Sequence, residues 1–292
     1  MSDYLNIKNI NDFNMKGEVF GKKIEVVVDN LTINFYQYGT DGPIIIFEPG
    51  LGAHCNFYSK FLEEFAKRGY RIIGHDRRGH GSSEGERGNG TLNDNINEIK
   101  VFLELLQEKS ELENGIGLIG TSFGGVLSLW LRFAEPRVIS TICHGTLIYK
   151  VKVDFKDRIM WPLVKFLALI KPNYDLSIEE FLNPDEVFED ETIKNQYLND
   201  PLALKKIKLR LLASYLKGLK IKLNSVTTPI LLLTGERDKL FPETYLQKVS
   251  KKLAGKVEII SASNAGHFLF AENVPLSVDI ADTWFKKTLV NI

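Results

Sequence analysis

The chain has 292 residues, 44% hydrophobic and 25% charged, which is enough apolar material for the core of one large domain, or of one domain with an insertion. With 37 basic against 37 acidic residues the formal net charge is zero, which removes the electrostatic case for binding nucleic acid or an anionic membrane surface. The two cysteines, Cys55 and Cys143, form no C-x-x-C and read as buried thiols of a reducing compartment; no run is apolar enough to span a bilayer and the N-terminus lacks an apolar signal core, so a cytoplasmic protein without a transmembrane segment is expected.

Residues 25–28 and 31–38 flank Asp29-Asn30, the pattern of a β-hairpin. After Asp41-Gly42-Pro43, the short apolar run 44–47 predicts a strand buried on both faces. Residues 57–68 read as a helix with Phe61, Leu62, Phe65 and Ala66 on one side; Gly69 ends it, and 70–73 is the next strand. Ile96, Ile99, Phe102, Leu103 and Leu106 repeat at helical spacing. Then come a short strand at 116–119, an apolar helix at 126–133 and a strand at 138–143. Strand–helix alternation with short buried strands argues an α/β fold, a mostly parallel sheet with helices on both faces.

The alternation stops from about 146 to 225, where the pattern is helical without buried β runs. Ile159, Leu163, Phe166, Leu167 and Ile170 share one apolar face, and Leu202, Leu209, Leu212 and Leu216 suggest another. Alternation resumes at 229–233 and continues through 257–260 to a final helix from about Pro275. The expected organisation is a core built from 1–145 and 226–292, with 146–225 a helical cap over the sheet's functional edge.

Gly120-Thr121-Ser122-Phe123-Gly124 stands between the strand at 116–119 and the helix at 126–133. A G-x-S-x-G at such a junction puts the serine on a sharp turn, its hydroxyl clear of the sheet and a helix N-terminus beneath it. Gly81-Ser82-Ser83-Glu84-Gly85 fits the same pattern but opens onto charged and glycine-rich sequence, so Ser122 reads as nucleophile and Ser83 as loop. A serine hydroxyl needs a base in hydrogen-bond reach and a carboxylate to orient that base. Asp238 follows the leucine-rich strand, with Glu236 as its rival; His267 follows the last strand and, alone among the five histidines, comes after both serine and acid. The backbone N–H of Phe123 and that of Leu51, in the glycine loop holding Gly50 and Gly52, are the expected oxyanion donors. Gly50 and Gly52 are expected to contact the substrate, and Ile159, Leu163 and Phe166 to line an apolar acyl pocket above Ser122.

These motifs together resemble the α/β-hydrolase superfamily, and within it the monoacylglycerol lipase and lysophospholipase-like (serine aminopeptidase-like) group. The resemblance covers nearly the whole chain from about Val26. It rests on Gly50-Leu51-Gly52-Ala53-His54, on Asp76-Arg77-Arg78-Gly79-His80-Gly81-Ser82-Ser83, on the serine elbow, on Gly235-Glu236-Arg237-Asp238, on Gly266-His267, and on Asn199-Asp200-Pro201-Leu202 in the insertion. It implies Ser122, Asp238 and His267 as nucleophile, acid and base of an ester hydrolase acting on a small lipid-like ester, with no metal or organic cofactor. Thioester, amide or acyl-transfer chemistry on the same triad stays open, as does a ligand-binding protein with little turnover. One departure is Pro49, where the family usually has histidine before the glycine of the oxyanion loop.

Overall fold

The computed structural model describes residues 21–109, 111–112, 115–147, 155–180, 182–218 and 222–289. Strands β1 (Lys22–Val28) and β2 (Leu31–Tyr38) pair antiparallel around Asp29 and Asn30, whose φ angles of 51° and 63° make the tight turn. Left-handed angles at both central residues match the twist of a two-residue hairpin. Next come β3 (Ile44–Glu48), α1 (Ser59–Ala66), β4 (Arg71–Asp76), α2 (Leu92–Glu108), β5 (Ile116–Thr121), α3 (Phe123–Ala134) and β6 (Val138–His144). Then follow α4 (Phe155–Ile170), β7 (Asp175–Ser177), α5 (Pro184–Val187), α6 (Glu191–Asn199), β8 (Lys206–Lys208) and α7 (Leu209–Lys217). The chain closes with β9 (Ile230–Gly235), α8 (Glu243–Ser250), β10 (Val257–Ala262), α9 (Leu269–Glu272) and α10 (Val274–Thr288).

Eight strands form one sheet in the order β1-β2-β4-β3-β5-β6-β9-β10, antiparallel as far as the β2–β4 pair and parallel from there on. Side chains alternate between the faces of a strand, and both faces are apolar. Ile44 and Ile46 of β3, with Ile230 and Leu232 of β9, pack against α2, α3 and α8; Ile45, Phe47, Leu231 and Leu233 pack against α1 and α10. Each such fully buried side chain contributes about 1.5–3 kcal/mol. Parallel strands share one carboxyl edge, so the chain leaves β3, β4, β5, β6, β9 and β10 on the same side of the sheet.

Between β6 and β9 the structure adds a feature that periodicity did not reveal: β7 and β8 form a small antiparallel pair. Three residues per strand are too few to set up a readable alternation. In this stretch α4 packs on α7, and Ile178, Leu204, Ile207, Leu211 and Leu212 make a separate small apolar cluster. Cys55 and Cys143 are free and buried, as expected.

Behind the end of β3 lies a buried charged network. His75 of β4 donates from Nδ1 to Glu48 Oε1 at 2.9 Å and from Nε2 to Glu98 Oε2 at 3.0 Å, and Arg78 Nε also donates to Glu98. Burial opposes the charged ring, but the two carboxylates outweigh it and push His75 up to about 9. An unfolded histidine titrates near 6.5, so the folded state holds the extra proton; this contribution is complete below about pH 6.5 and fades as pH rises through about 9. Raising pH from 6.5 to 8.5 should lower the melting temperature by on the order of 5 °C, and His75→Gln should flatten that slope. Circular dichroism melts of both proteins across this window are the check; equal slopes would refute the role given to His75.

Candidate active site

Ser122 sits between β5 and α3 with φ 52° and ψ −113°, a left-handed backbone in a residue that is not glycine. Such angles cost on the order of 1–3 kcal/mol and persist only where the surroundings impose them. Here Ser122 N–H donates to the His144 carbonyl at 2.7 Å, while the Ser122 carbonyl caps the first turn of α3 through Gly125 N–H at 3.0 Å. The flanking glycines are sterically required. A Cβ on Gly120 would overlap the Gly124 carbonyl, and one on Gly124 would overlap the Glu48 and Pro49 carbonyls. Phe123 is the first residue of α3, so its N–H is one of the helix donors without an intrahelical partner.

His267, in the turn between β10 and α9, is hydrogen-bonded through Nδ1 to Asp238 Oδ2 at 2.8 Å, and both side chains are buried. Asp238 is held in turn by the loop after β9: Leu240 N–H and Phe241 N–H donate to Oδ1 at 2.8 and 3.0 Å. Burial raises the Asp238 carboxyl, but the charge and hydrogen bond of His267 outweigh it and hold the group down at about 2. Asp238 is thus an acceptor across the neutral range. The imidazole packs between His144 and Phe241, with ring centroids 5.8 and 5.7 Å away. Burial, then the neighbouring His267, depress His144 to about 3, so it stays neutral beside the site.

The rivals are engaged elsewhere. Glu236 is exposed and accepts from Asn264 N–H at 3.0 Å; Arg237 binds Glu189 and the Asn264 carbonyl rather than Asp238. His54 pairs with Asp200, His75 with Glu48 and Glu98, His80 with the Arg78 carbonyl, and His144 with Thr121. Ser83 is buried, with its Oγ accepting from Asn34 N–H at 2.8 Å and donating to the Asp76 carbonyl.

The model of the Hydrolase_4 family, described as serine aminopeptidase S33, matches residues 41–274. The chain belongs to this family. Rat monoglyceride lipase is 25% identical over 212 residues, which make up 69% of this chain and 67% of that protein. An uncharacterized abhydrolase domain-containing protein of Dictyostelium discoideum is 28% identical over 198 residues, 65% of this chain, and there the match spans only 20% of the relative's length. Among solved structures, Paleococcus ferrophilus monoacylglycerol lipase superposes with a TM-score of 0.73 at 22% identity, covering 87% of this chain and 98% of that one. A soluble variant of Saccharomyces cerevisiae monoglyceride lipase gives 0.78 at 14% identity, covering 94% and 98%. The fold is that of the α/β-hydrolases, and the chain falls in the monoglyceride lipase-like group.

In this α/β-hydrolase Ser122 and His267 border one cavity of about 40 Å³, with Gly50 and Leu51 beside them. No hydrogen bond joins Ser122 Oγ to His267 among the described residues; such bonds are often long before substrate binds. The Gly50 Cα stands against Ser122, where an added Cβ would lie 3.6 Å from the serine Cβ. Gly52 lies outside the cavity lining. With φ +75° it is pressed under the 146–225 stretch, where its carbonyl accepts from Leu204 N–H at 2.9 Å and a Cβ would reach 2.5 Å from the Tyr197 hydroxyl.

The apolar wall is not the one expected. Leu163 and Phe166 are 51% and 58% exposed on α4 and do not line this cavity; the Ile159 side chain lies outside the described residues. Ile178, Leu182, Val187, Phe188, Tyr197 and Leu204 form the wall instead, with Phe268 beside the histidine. These residues lie in the irregular chain around α5 and α6, where no periodicity marks a common face. The one sequence signal nearby is Asn199-Asp200-Pro201-Leu202, whose Asp200 ties this stretch to His54 at 2.7 Å. None of the described helices is long and apolar enough to cross a membrane.

Proposed function

We propose that this chain is a serine hydrolase that cleaves carboxylic esters with an apolar acyl group, such as monoacylglycerol- or lysophospholipid-like molecules, through an acyl-enzyme. Ser122 Oγ attacks the carbonyl while His267 takes its proton, and the imidazolium is stabilised by Asp238. The oxyanion is met by the N–H groups of Leu51 and Phe123. His267 then protonates the leaving alcohol, and water releases the acid by the same steps in reverse order. None of these steps requires a metal or an organic cofactor. Residues 146–225 serve as a cap whose inner side receives the acyl chain, on a core made of 1–145 and 226–292.

The observation that carries this reading is that His267, bonded to Asp238, opens with Ser122 into a single cavity walled by apolar side chains. Monoglyceride lipases among the similar proteins point the same way. Leu182, Val187 and Phe188 of the cavity wall offer apolar surface to an acyl chain. Each buried methylene contributes up to about 0.8 kcal/mol, roughly fourfold in kcat/KM. A series of nitrophenyl esters from acetate to laurate should therefore climb with chain length until the pocket is filled. A flat profile, or a maximum at acetate, would remove the lipid-like substrate; no burst of nitrophenol at all would favour a ligand-binding protein.

A further inference from the structure

Arg77, in the turn that follows β4, is buried, yet among the described residues it has no carboxylate within ion-pair distance. Its guanidinium instead donates from Nη1 to the Pro49 carbonyl and from Nη2 to the Gly50 carbonyl, both at 2.9 Å. Its Nε is buried without a partner. A buried cation is costly unless its hydrogen bonds are well placed. This one is committed to two consecutive carbonyls of a single loop, the loop that borders the cavity beside Ser122.

The consequence follows from peptide geometry. In a trans peptide the C=O and the N–H point in opposite directions. Pinning the Gly50 carbonyl therefore pins Leu51 N–H on the far side of the loop from Arg77; pinning the Pro49 carbonyl does the same for Gly50 N–H. The Gly-Leu-Gly sequence has little of its own to hold these peptides in one orientation. The same guanidinium lies 5.8 Å from the centroid of the Phe123 ring, which is also stacked on Tyr215 at 3.8 Å. One side chain thus holds the carbonyl of the peptide that carries Leu51 N–H and lies over the ring of Phe123, the other proposed donor residue.

We infer that Arg77 is a positioning residue of the oxyanion hole, its fork on the Pro49 and Gly50 carbonyls holding Leu51 N–H toward the developing charge. The inference rests on the reading of Ser122 as nucleophile. A lysine at this position keeps the charge but lacks the planar fork. Loss of one aligned oxyanion donor lowers kcat by about 10²–10³.

The test compares the wild type with Arg77→Met and Arg77→Lys on nitrophenyl butyrate and on a trifluoromethyl ketone, which forms a tetrahedral adduct with the serine. For Arg77→Met, kcat should fall by about 10² with KM within about twofold of wild type, and the ketone should weaken by the factor lost in kcat/KM. Arg77→Lys should lose about tenfold. A folded variant with wild-type kcat and ketone affinity would overturn the inference, as would a loss confined to KM. Failure of both variants to fold would assign the fork to the fold alone and overturn it too. An inactive wild type that a fluorophosphonate does not label would sink the serine-hydrolase reading itself, a result separate from an active wild type indifferent to Arg77.

Discussion

Ser122→Ala abolishes ester turnover and fluorophosphonate labelling while leaving the protein folded. That is the expected result because the alternative nucleophile in the sequence, Ser83, is spent on structure. Its buried hydroxyl accepts from Asn34 N–H of β2 and donates to the Asp76 carbonyl at the end of β4. Ser83→Ala strands the Asn34 N–H and should cost about 1–3 kcal/mol of stability, yet its labelling should persist. The strain at Ser122 sharpens the contrast. Glycine takes positive φ without penalty, so Ser122→Gly should be inactive but melt a few degrees above the wild type. Mapping the probe adduct by mass spectrometry and melting the three variants together is the measurement. An adduct on the peptide bearing Ser83, or an Ser122→Gly variant less stable than wild type, would contradict this account of the elbow.

The sheet was legible in the sequence because its strands carry a two-faced signal. Ile44 to Phe47 and Ile230 to Leu233 are apolar at every position because each face is covered by helices. The proposed triad was suggested in the sequence by three residue types at strand ends in a fixed order, whereas the contacts that separate each candidate from its rivals come from distant partners. Arg237 turns away from Asp238 because Glu189, 48 residues earlier, takes it. Helical spacing in α4 told which residues share a face and not what covers that face. Leu163 and Phe166 were therefore assigned to a pocket that is walled instead by Leu182, Val187 and Phe188. Arg77 gave no signal of its own, since a fork on two backbone carbonyls leaves no mark in the identities of the residues it holds.

The acid supplies the second large effect. Asp238→Asn should lower kcat by about 10⁴, whereas Glu236→Gln should leave it within about twofold. The difference lies in what each carboxylate touches. Asp238 presents Oδ2 to His267 Nδ1 at 2.8 Å, while its Oδ1 is already fixed by Leu240 N–H and Phe241 N–H. An asparagine can satisfy those two N–H donors only by keeping its carbonyl oxygen on them, which turns its NH₂ toward the histidine. The ring must then accept at Nδ1, leaving the proton on Nε2, where the base must be free to take one from Ser122. The loss thus comes from the wrong tautomer in an otherwise intact site. Glu236 has no such leverage: it is exposed and, among the described residues, its carboxylate accepts from Asn264 N–H alone. Steady-state kinetics on a short nitrophenyl ester read the loss in kcat. NMR of the His267 ring nitrogens in Asp238→Asn reads its cause, a shift of the proton from Nδ1 to Nε2. Near-normal kcat in that variant, or a dead Glu236→Gln, would transfer the role of acid away from Asp238.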